Sequence, residues 1–247
     1  MCILINKRKK QFLMLIFLLI IFTVTIVLDF EESKSKLAFL NDNKKIIYLT
    51  FDDGPSSIVT NDILNTLKQH QVKATFFVIG SKIKGRETVL KRMYNEGHSI
   101  GLHTFSHEYK KIYENEDAFI REMIKTSEEV KRVVGVKPNI IRFPYGSNSH
   151  LNNNLLKKLH DYNFKIYDWN ASISDGIKPY SSPESFTKEA IATSNGIPYV
   201  VFLMHCNNTN INTYKALPQI IQHYKNEGYE FRTITNSTPE FYWRNFN

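Results

Sequence analysis

From Lys45 onward the chain alternates between short apolar, β-branched runs and stretches with the apolar spacing of helices. Strand patterns fall at 45–51, 73–79, 98–103, 139–143, 164–169, 199–205 and 229–235. Helical patterns lie near 60–70, 86–96, 116–134, 151–160, 183–194 and 213–226. In 116–134 the stripe is Phe119, Met123, Val130, Val133 and Val134, and Gly135 ends it; Leu151, Leu155, Leu156 and Leu159 mark the next helix. Such alternation predicts a parallel sheet covered by helices, either doubly wound or closed into a barrel. No run of Gly, Pro or Ser divides the pattern, and 247 residues with 42% hydrophobic content can fill one such core. In a parallel barrel the chemistry gathers at the carboxyl ends of the strands, so what each run releases there is informative.

The first run, Lys45–Gly54, ends in two adjacent carboxylates, Asp52 and Asp53, and a glycine. Neighbouring carboxylates repel and are costly to bury unpaired, so a metal or a buried cation must share the site. A strand closed by an Asp-Gly turn is the plainer alternative. The third run ends at His103-Thr104-Phe105-Ser106-His107, whose imidazoles share a face if the stretch turns helically. Two imidazoles and one carboxylate are a common ligand set for a divalent metal that keeps a position open for water, though histidines so spaced also serve as surface or capping residues. The fourth releases Arg142 in Ile141-Arg142-Phe143-Pro144-Tyr145-Gly146. An arginine rising from an apolar strand needs a carboxylate partner, and Asp52 is the natural one if a metal takes Asp53. The fifth carries Asp168-Trp169 and then Asn170–Gly176, and the sixth is apolar until it delivers His205. An Asp from the loop before that last strand could hold the ring of His205 and raise its pKa.

The amino terminus is organised differently. A basic run, Lys7 to Lys10, precedes Phe12–Leu28, which carries no charge and only Thr23 and Thr25 as polar residues. This is at the lower length limit for a membrane-spanning helix, and the flanking charge places the amino terminus inside. The expected organisation is a cytoplasmic 1–11, a signal anchor 12–29, a polar stalk 30–44, a catalytic domain 45–235 and a tail 236–247. Secretion after cleavage is the alternative, although Val27-Leu28-Asp29-Phe30 offers no small-x-small site. Of the formal charge of +8, the four basic residues against Asp29 account for +3, leaving +5 on the rest. That mild bias is compatible with an anionic polymer, and no basic cluster interleaved with aromatics marks a nucleic-acid groove. Cys2 and Cys206 lie on opposite sides of the expected membrane and cannot pair within one chain.

Taken together, Thr50-Phe51-Asp52-Asp53-Gly54, His103–His107, Arg142–Gly146, a looser stretch around Asp168–Asp175 and Leu203-Met204-His205 stand in a fixed order. From about Lys45 to Thr235 the chain resembles the NodB-like polysaccharide deacetylases, metal-dependent carbohydrate esterases with a distorted (β/α)7 barrel. The resemblance implies that Asp53, His103 and His107 hold one divalent ion, zinc being the family's usual metal and Co2+, Mn2+ or Ni2+ alternatives. It makes Asp52 the general base, Arg142 the group that orients it and His205 the general acid. The Tyr145 N–H would help hold an oxyanion, Leu203 would seat the acetyl methyl, and Pro144 and Tyr145 would face the substrate. The fourth motif departs from the family pattern, because Asp175 is followed by Gly176 rather than Trp. Aligning Trp169-Asn170 with the family's lead-in makes Asp175 the partner of His205, with Asp168 the alternative. Cys206 stands where the family often has Asp or Ser and reads as a small filler. The implied activity is removal of N-acetyl groups from N-acetylglucosamine in a cell-envelope glycan, peptidoglycan first. Poly-N-acetylglucosamine, chitooligosaccharides, O-acetyl esters and a catalytically silent wall-binding role are the alternatives.

Overall fold

Strand β1 (Ile46–Gly54) is buried along almost its whole length, as befits a strand with neighbours on both edges and cover on both faces. On one side follow β2 (Thr75–Val78), β3 (Ser99–Leu102), β4 (Ile140–Ile141) and β5 (Lys165–Ile166); on the other lie β6 (Ala171–Ser172) and β7 (Tyr199–His205). The order is β5-β4-β3-β2-β1-β7-β6, and every pair is parallel. The sheet curls into a partial barrel, with no ladder between β5 and β6 among the described residues. A last strand, β8 (Glu230–Phe231), pairs with β1 at Ile46 and Ile47, ahead of the β2 pairing that starts at Thr50. The computed structural model describes residues 44–243 and the isolated positions Met14 and Phe22. The expected anchor at 12–29 and stalk at 30–44 thus fall outside the described residues, those positions and Lys44 aside. Among the described residues no helix is long and apolar enough to cross a membrane.

The helices are α1 (Val59–Gln69), α2 (Glu87–Asn95), α3 (Tyr109–Ile112), α4 (Glu116–Val134), α5 (Asn153–Asp161), α6 (Pro183–Ser194) and α7 (Ile211–Asn226). Helix α4 has the bounds its sequence predicts because both ends are chemically marked. The Asn115 side chain accepts from Ala118 N–H at 2.8 Å, and Gly135 takes the left-handed conformation at φ 82°. Three elements differ from the sequence reading. The seventh apolar run, 229–235, is not the barrel's seventh strand but the short β8. The place between β5 and β7 belongs to Ala171–Ser172, too short to show a period, and no helix separates it from β5. Helix α3, a single turn, likewise leaves no apolar repeat.

Alternation along the strands divides the side chains into two sets. Ile47, Leu49, Phe51, Phe76, Val78, Val200, Phe202 and Met204 join the main hydrophobic core with Ile63, Leu67, Phe119 and Ile220 of the helices. The intervening residues line the inner face, where Thr50 lies beside Leu203 and Asp52 beside His205 in register. On that face Phe77 pairs with Gly101, and a Cβ at Gly101 would come within 2.5 Å of the Phe77 ring. The Arg142 guanidinium lies over the same ring, 4.2 Å from its centre. Gly101→Val is therefore expected to overpack this layer and destabilise the protein by about 1–3 kcal/mol. Urea unfolding checks it, the expected result being a lower midpoint at unchanged slope.

Candidate active site

In a regular strand, neighbouring carboxylates would point to opposite faces. Here β1 pairs Asp52 with Phe77 and Gly54 with Val78, so Asp53 is an extra residue in a bulge. Asp53 adopts φ 71°, and the bulge re-aims its side chain toward the same mouth as that of Asp52. The Lys82 ammonium, from the 3-10 turn Gly80–Lys82, donates to the Asp53 carbonyl at 3.0 Å and helps hold the turned backbone. Asn207 Nδ2 lies 3.5 Å from Asp53 Oδ2.

The loop after β3 delivers His103 and His107 beside Asp53. Asp53 Oδ1 lies 3.7 Å from His103 Nε2 and 3.4 Å from His107 Nε2, and one ligand atom from each residue falls within 4.8 Å of the others. The tautomer of His103 is fixed by its neighbour. Its Nδ1 is 2.9 Å from the Arg142 carbonyl, which can only accept, so Nδ1 carries the proton and Nε2 keeps its lone pair for the cleft. Burial lowers the pKa of His103 to about 4, against the opposing pull of Asp52, and so keeps the ring neutral at neutral pH. Burial alone would raise the Asp53 carboxyl, but His103, His205, His107 and Lys82 outweigh it and hold the pKa below its ordinary value. Asp53 Oδ1 is buried with no hydrogen-bond partner, as expected of an acceptor reserved for a cation. The donor set, one carboxylate and two imidazoles, fits a divalent metal.

Asp52 is pinned on its other side. Arg142, fully buried, donates to Asp52 Oδ1 at 2.9 Å, Thr50 Oγ1 at 2.7 Å, the Tyr167 carbonyl at 2.8 Å and the Asp168 carbonyl at 3.0 Å. Asp52 Oδ2 stays 3.7 Å from His103 Nε2, on the cleft side. Across the mouth, His205 Nδ1 is 2.8 Å from Asp175 Oδ1, while Asp175 Oδ2 accepts from the His205 N–H and the Thr213 hydroxyl, each at 2.8 Å. Burial would lower the His205 pKa, but the bond to Asp175 and the charge of the nearby aspartates raise it to about 9. Gly176 leaves room for that ring: a Cβ there would sit 2.5 Å from His205 Cε1. The other aspartate, Asp168, is engaged elsewhere, accepting from the Ser147 hydroxyl, from Ser147 N–H at 3.1 Å and from Trp243 N–H at 2.9 Å. Burial raises its pKa.

Asp52, Asp53, His103, His107 and His205 line a cleft of about 460 Å3 together with Tyr145, Trp169, Leu203, Ser172, Ile173, Ser174, Gly176 and Ile177. Tyr145 is exposed at φ 66°, and its N–H has no acceptor among the described residues. Pro144, expected to face substrate, is buried outside the cleft lining, and its carbonyl accepts from the Tyr113 hydroxyl at 2.6 Å. Cys206 is buried behind Asp52, against Gly54, and burial raises its thiol pKa. The tail packs back: Phe241 bridges Tyr167, and Trp243 contacts Trp169 at 4.5 Å between ring centres and covers Gly146. Sequence reasoning missed Lys82, Asn207 and Thr213, which carry no motif; Trp169 was visible only as part of a motif lead-in.

Residues 40–167 match the polysaccharide deacetylase family. A Bacillus cereus protein named peptidoglycan-N-acetylglucosamine deacetylase is 34% identical over 210 residues, covering 83% of this chain and 76% of that one. A Listeria monocytogenes protein of the same description is 34% identical over 78% of this chain, which spans only 38% of that longer relative. The crystal structure of a polysaccharide deacetylase from Bacillus cereus superimposes with a TM-score of 0.74 at 34% identity, covering 82% of this chain and 98% of that one. The catalytic domain of a Eubacterium rectale peptidoglycan N-acetylglucosamine deacetylase gives 0.75 at 31% identity, covering 84% and 96%. With Asp52, Asp53, His103, His107 and His205 gathered in one cleft and this degree of likeness, the chain belongs to the polysaccharide deacetylase family.

Proposed function

We propose that this protein hydrolyses N-acetyl groups from N-acetylglucosamine residues of a cell-envelope polysaccharide, peptidoglycan first, releasing acetate. The observation that carries the reading is the convergence of Asp53, His103 and His107 within 4.8 Å, with Asp52 and His205 lining the same cleft. The Bacillus and Listeria relatives, both named for peptidoglycan N-acetylglucosamine, support the choice of glycan. A divalent cation held by Asp53, His103 and His107, zinc in this reading with cobalt, manganese or nickel as substitutes, supplies a Lewis acid that acidifies water and polarises a carbonyl. Asp52, its Oδ1 fixed by Arg142, takes the proton from the attacking water. In this reading the Tyr145 N–H, which has no acceptor among the described residues, donates to the oxygen on which negative charge collects. His205, charged, donates its Nε2 proton to the departing amine, while Asp175 keeps the Nδ1 proton and balances the ring's charge. Leu203 offers the acetyl methyl an apolar seat.

Acetate release from purified cell wall tests the reading. It is expected to stop with a chelator and return with a divalent cation. Asp52→Asn and His205→Ala are each expected to lower kcat on the order of 10²–10⁴-fold. An unchanged rate in either variant removes that residue's role, and release from chitooligomers but not from wall moves the substrate.

The pH dependence follows from His205. A proton donor must be charged, and the bond to Asp175 with the nearby aspartates raises the pKa of His205 above its ordinary value, so activity is lost on the alkaline side, as pH rises through the pKa of that ring. A cation at Asp53 offsets the aspartates' pull and places the limb lower in the loaded enzyme. Asp175→Asn removes the negative charge behind Nδ1 that helps raise the ring's pKa and should move the alkaline limb toward neutrality. A pH-rate profile with an unmoved limb overturns the assignment.

We also infer that the chain is anchored by 12–29 with its amino terminus inside and its catalytic domain outside. The support is the basic run Lys7–Lys10 ahead of the uncharged Phe12–Leu28. Protease added to intact cells should digest the domain while the chain fractionates with membranes. Protection until lysis overturns the orientation, and release of the domain to the medium indicates cleavage.

A further inference from the structure

The loop that carries both histidines is built on strained backbone, with Thr104 at φ 61° and His107 at φ 59°. Such a loop needs outside support to hold two imidazoles at one spacing. On one side the 3-10 turn supplies it: Gly80 N–H donates to the Thr104 carbonyl at 3.0 Å and Ser81 N–H to the Phe105 carbonyl at 2.9 Å. A Cβ at Gly80 would lie 2.5 Å from the Phe105 ring, so the turn and the loop are in close contact. On the other side stands α4, whose buried face carries one carboxylate, Glu122, only 7% exposed. A single oxygen, Glu122 Oε2, accepts from Phe105 N–H at 2.9 Å, Ser106 N–H at 2.6 Å and the Ser106 hydroxyl at 2.9 Å. One turn on, the Lys125 ammonium lies 3.7 Å from the Phe105 ring centre. A buried carboxylate on a helix whose other buried residues include Phe119, Met123 and Val130 is costly unless these bonds are made, so its presence needs a reason beyond packing.

We propose that Glu122 is a positioning residue for the metal centre: it bonds to the residues between His103 and His107, fixes their spacing and so sets the affinity for a divalent cation. The proposal rests on the metal reading above. Loss of an outer support of this kind costs metal sites roughly 10–100-fold in affinity.

The test is titration of Co2+ into the chelator-stripped full chain, read by the cobalt absorption bands, with thermal melting of the same metal-free proteins alongside. Glu122→Ala should weaken cobalt binding about 10–100-fold and alter the bands. Glu122→Gln, whose amide oxygen can accept the same three bonds, should recover most of the affinity. Ser106→Ala, which removes one of the three, should weaken binding less and keeps the test open if Glu122→Ala fails to fold. Wild-type affinity and bands in both Glu122→Ala and Ser106→Ala, or in Ser106→Ala alone if the Glu122→Ala variant is lost, overturn the proposal. So does a fall in melting temperature with no change in cobalt binding, which marks a structural role alone. Failure of the wild-type chain to take up cobalt overturns instead the metal reading on which the proposal stands.

Discussion

A fully buried guanidinium organises the inner face of this sheet. Arg142 has no water to solvate it, so its stability depends on the Asp52 carboxylate, the Thr50 hydroxyl and the Tyr167 and Asp168 carbonyls around it. Removing one partner of such a buried pair typically costs about 3–5 kcal/mol, because the other charge is stranded. That penalty ties the ends of β1, β4 and β5 into one arrangement. It also reaches beyond its own bonds: the carbonyl of Arg142 fixes the tautomer of His103, and its guanidinium rests on Phe77. The pair does not need to add net stability to be decisive, since it specifies which oxygen of Asp52 is engaged and which is left toward the cleft.

Two adjacent aspartates acquire different environments through one backbone irregularity. Asp52 keeps the strand's alternation and falls on the inner face with Arg142 and His205. Asp53, displaced by the bulge, escapes to the same side without a hydrogen-bonding partner for Oδ1. A regular strand would have turned one of them into the apolar layer between sheet and helices, where an unpaired carboxylate is least tolerable. The left-handed backbone at Asp53 is thus strain held in place by its surroundings, Lys82 among them.

This is also where sequence reading reaches its limit. Apolar runs ending in Asp52-Asp53, His103, Arg142 and His205 announce parallel strands that deliver charge to one edge, because burial and charge are visible in composition. Helix α4 was legible from its apolar stripe and from Gly135, while the cap at Asn115 emerges in the structure. Strand β6, two residues long, owes its existence to its neighbours rather than to a periodic pattern, and no local signal separates it from a loop, while β8 keeps only two residues of the apolar run at 229–235. The fourth motif shows the same limit at the site. Alignment with the family's lead-in favours Asp175 over Asp168 in sequence, but spacing alone does not say why: Asp168 is drawn to Ser147 and Trp243 by a tail that folds back from the far end of the chain. Pro144 is held away from the cleft by Tyr113, another contact that spacing does not encode.

The histidines show why environment, not residue type, divides the chemistry. His103, wholly buried and bonded through Nδ1 to a carbonyl, is driven down to about 4 and stays neutral. His205 is also strongly desolvated, yet its Nδ1 meets a carboxylate, and the bond to Asp175 carries it up to about 9. A ligand must offer a lone pair and a general acid must offer a proton, so the two roles demand opposite charge states at one pH. The choice between a carbonyl and a carboxylate behind Nδ1 meets both demands within one cleft. Asp52 lies beside both rings, which allows a single carboxylate to receive a proton on one flank while His205 releases another.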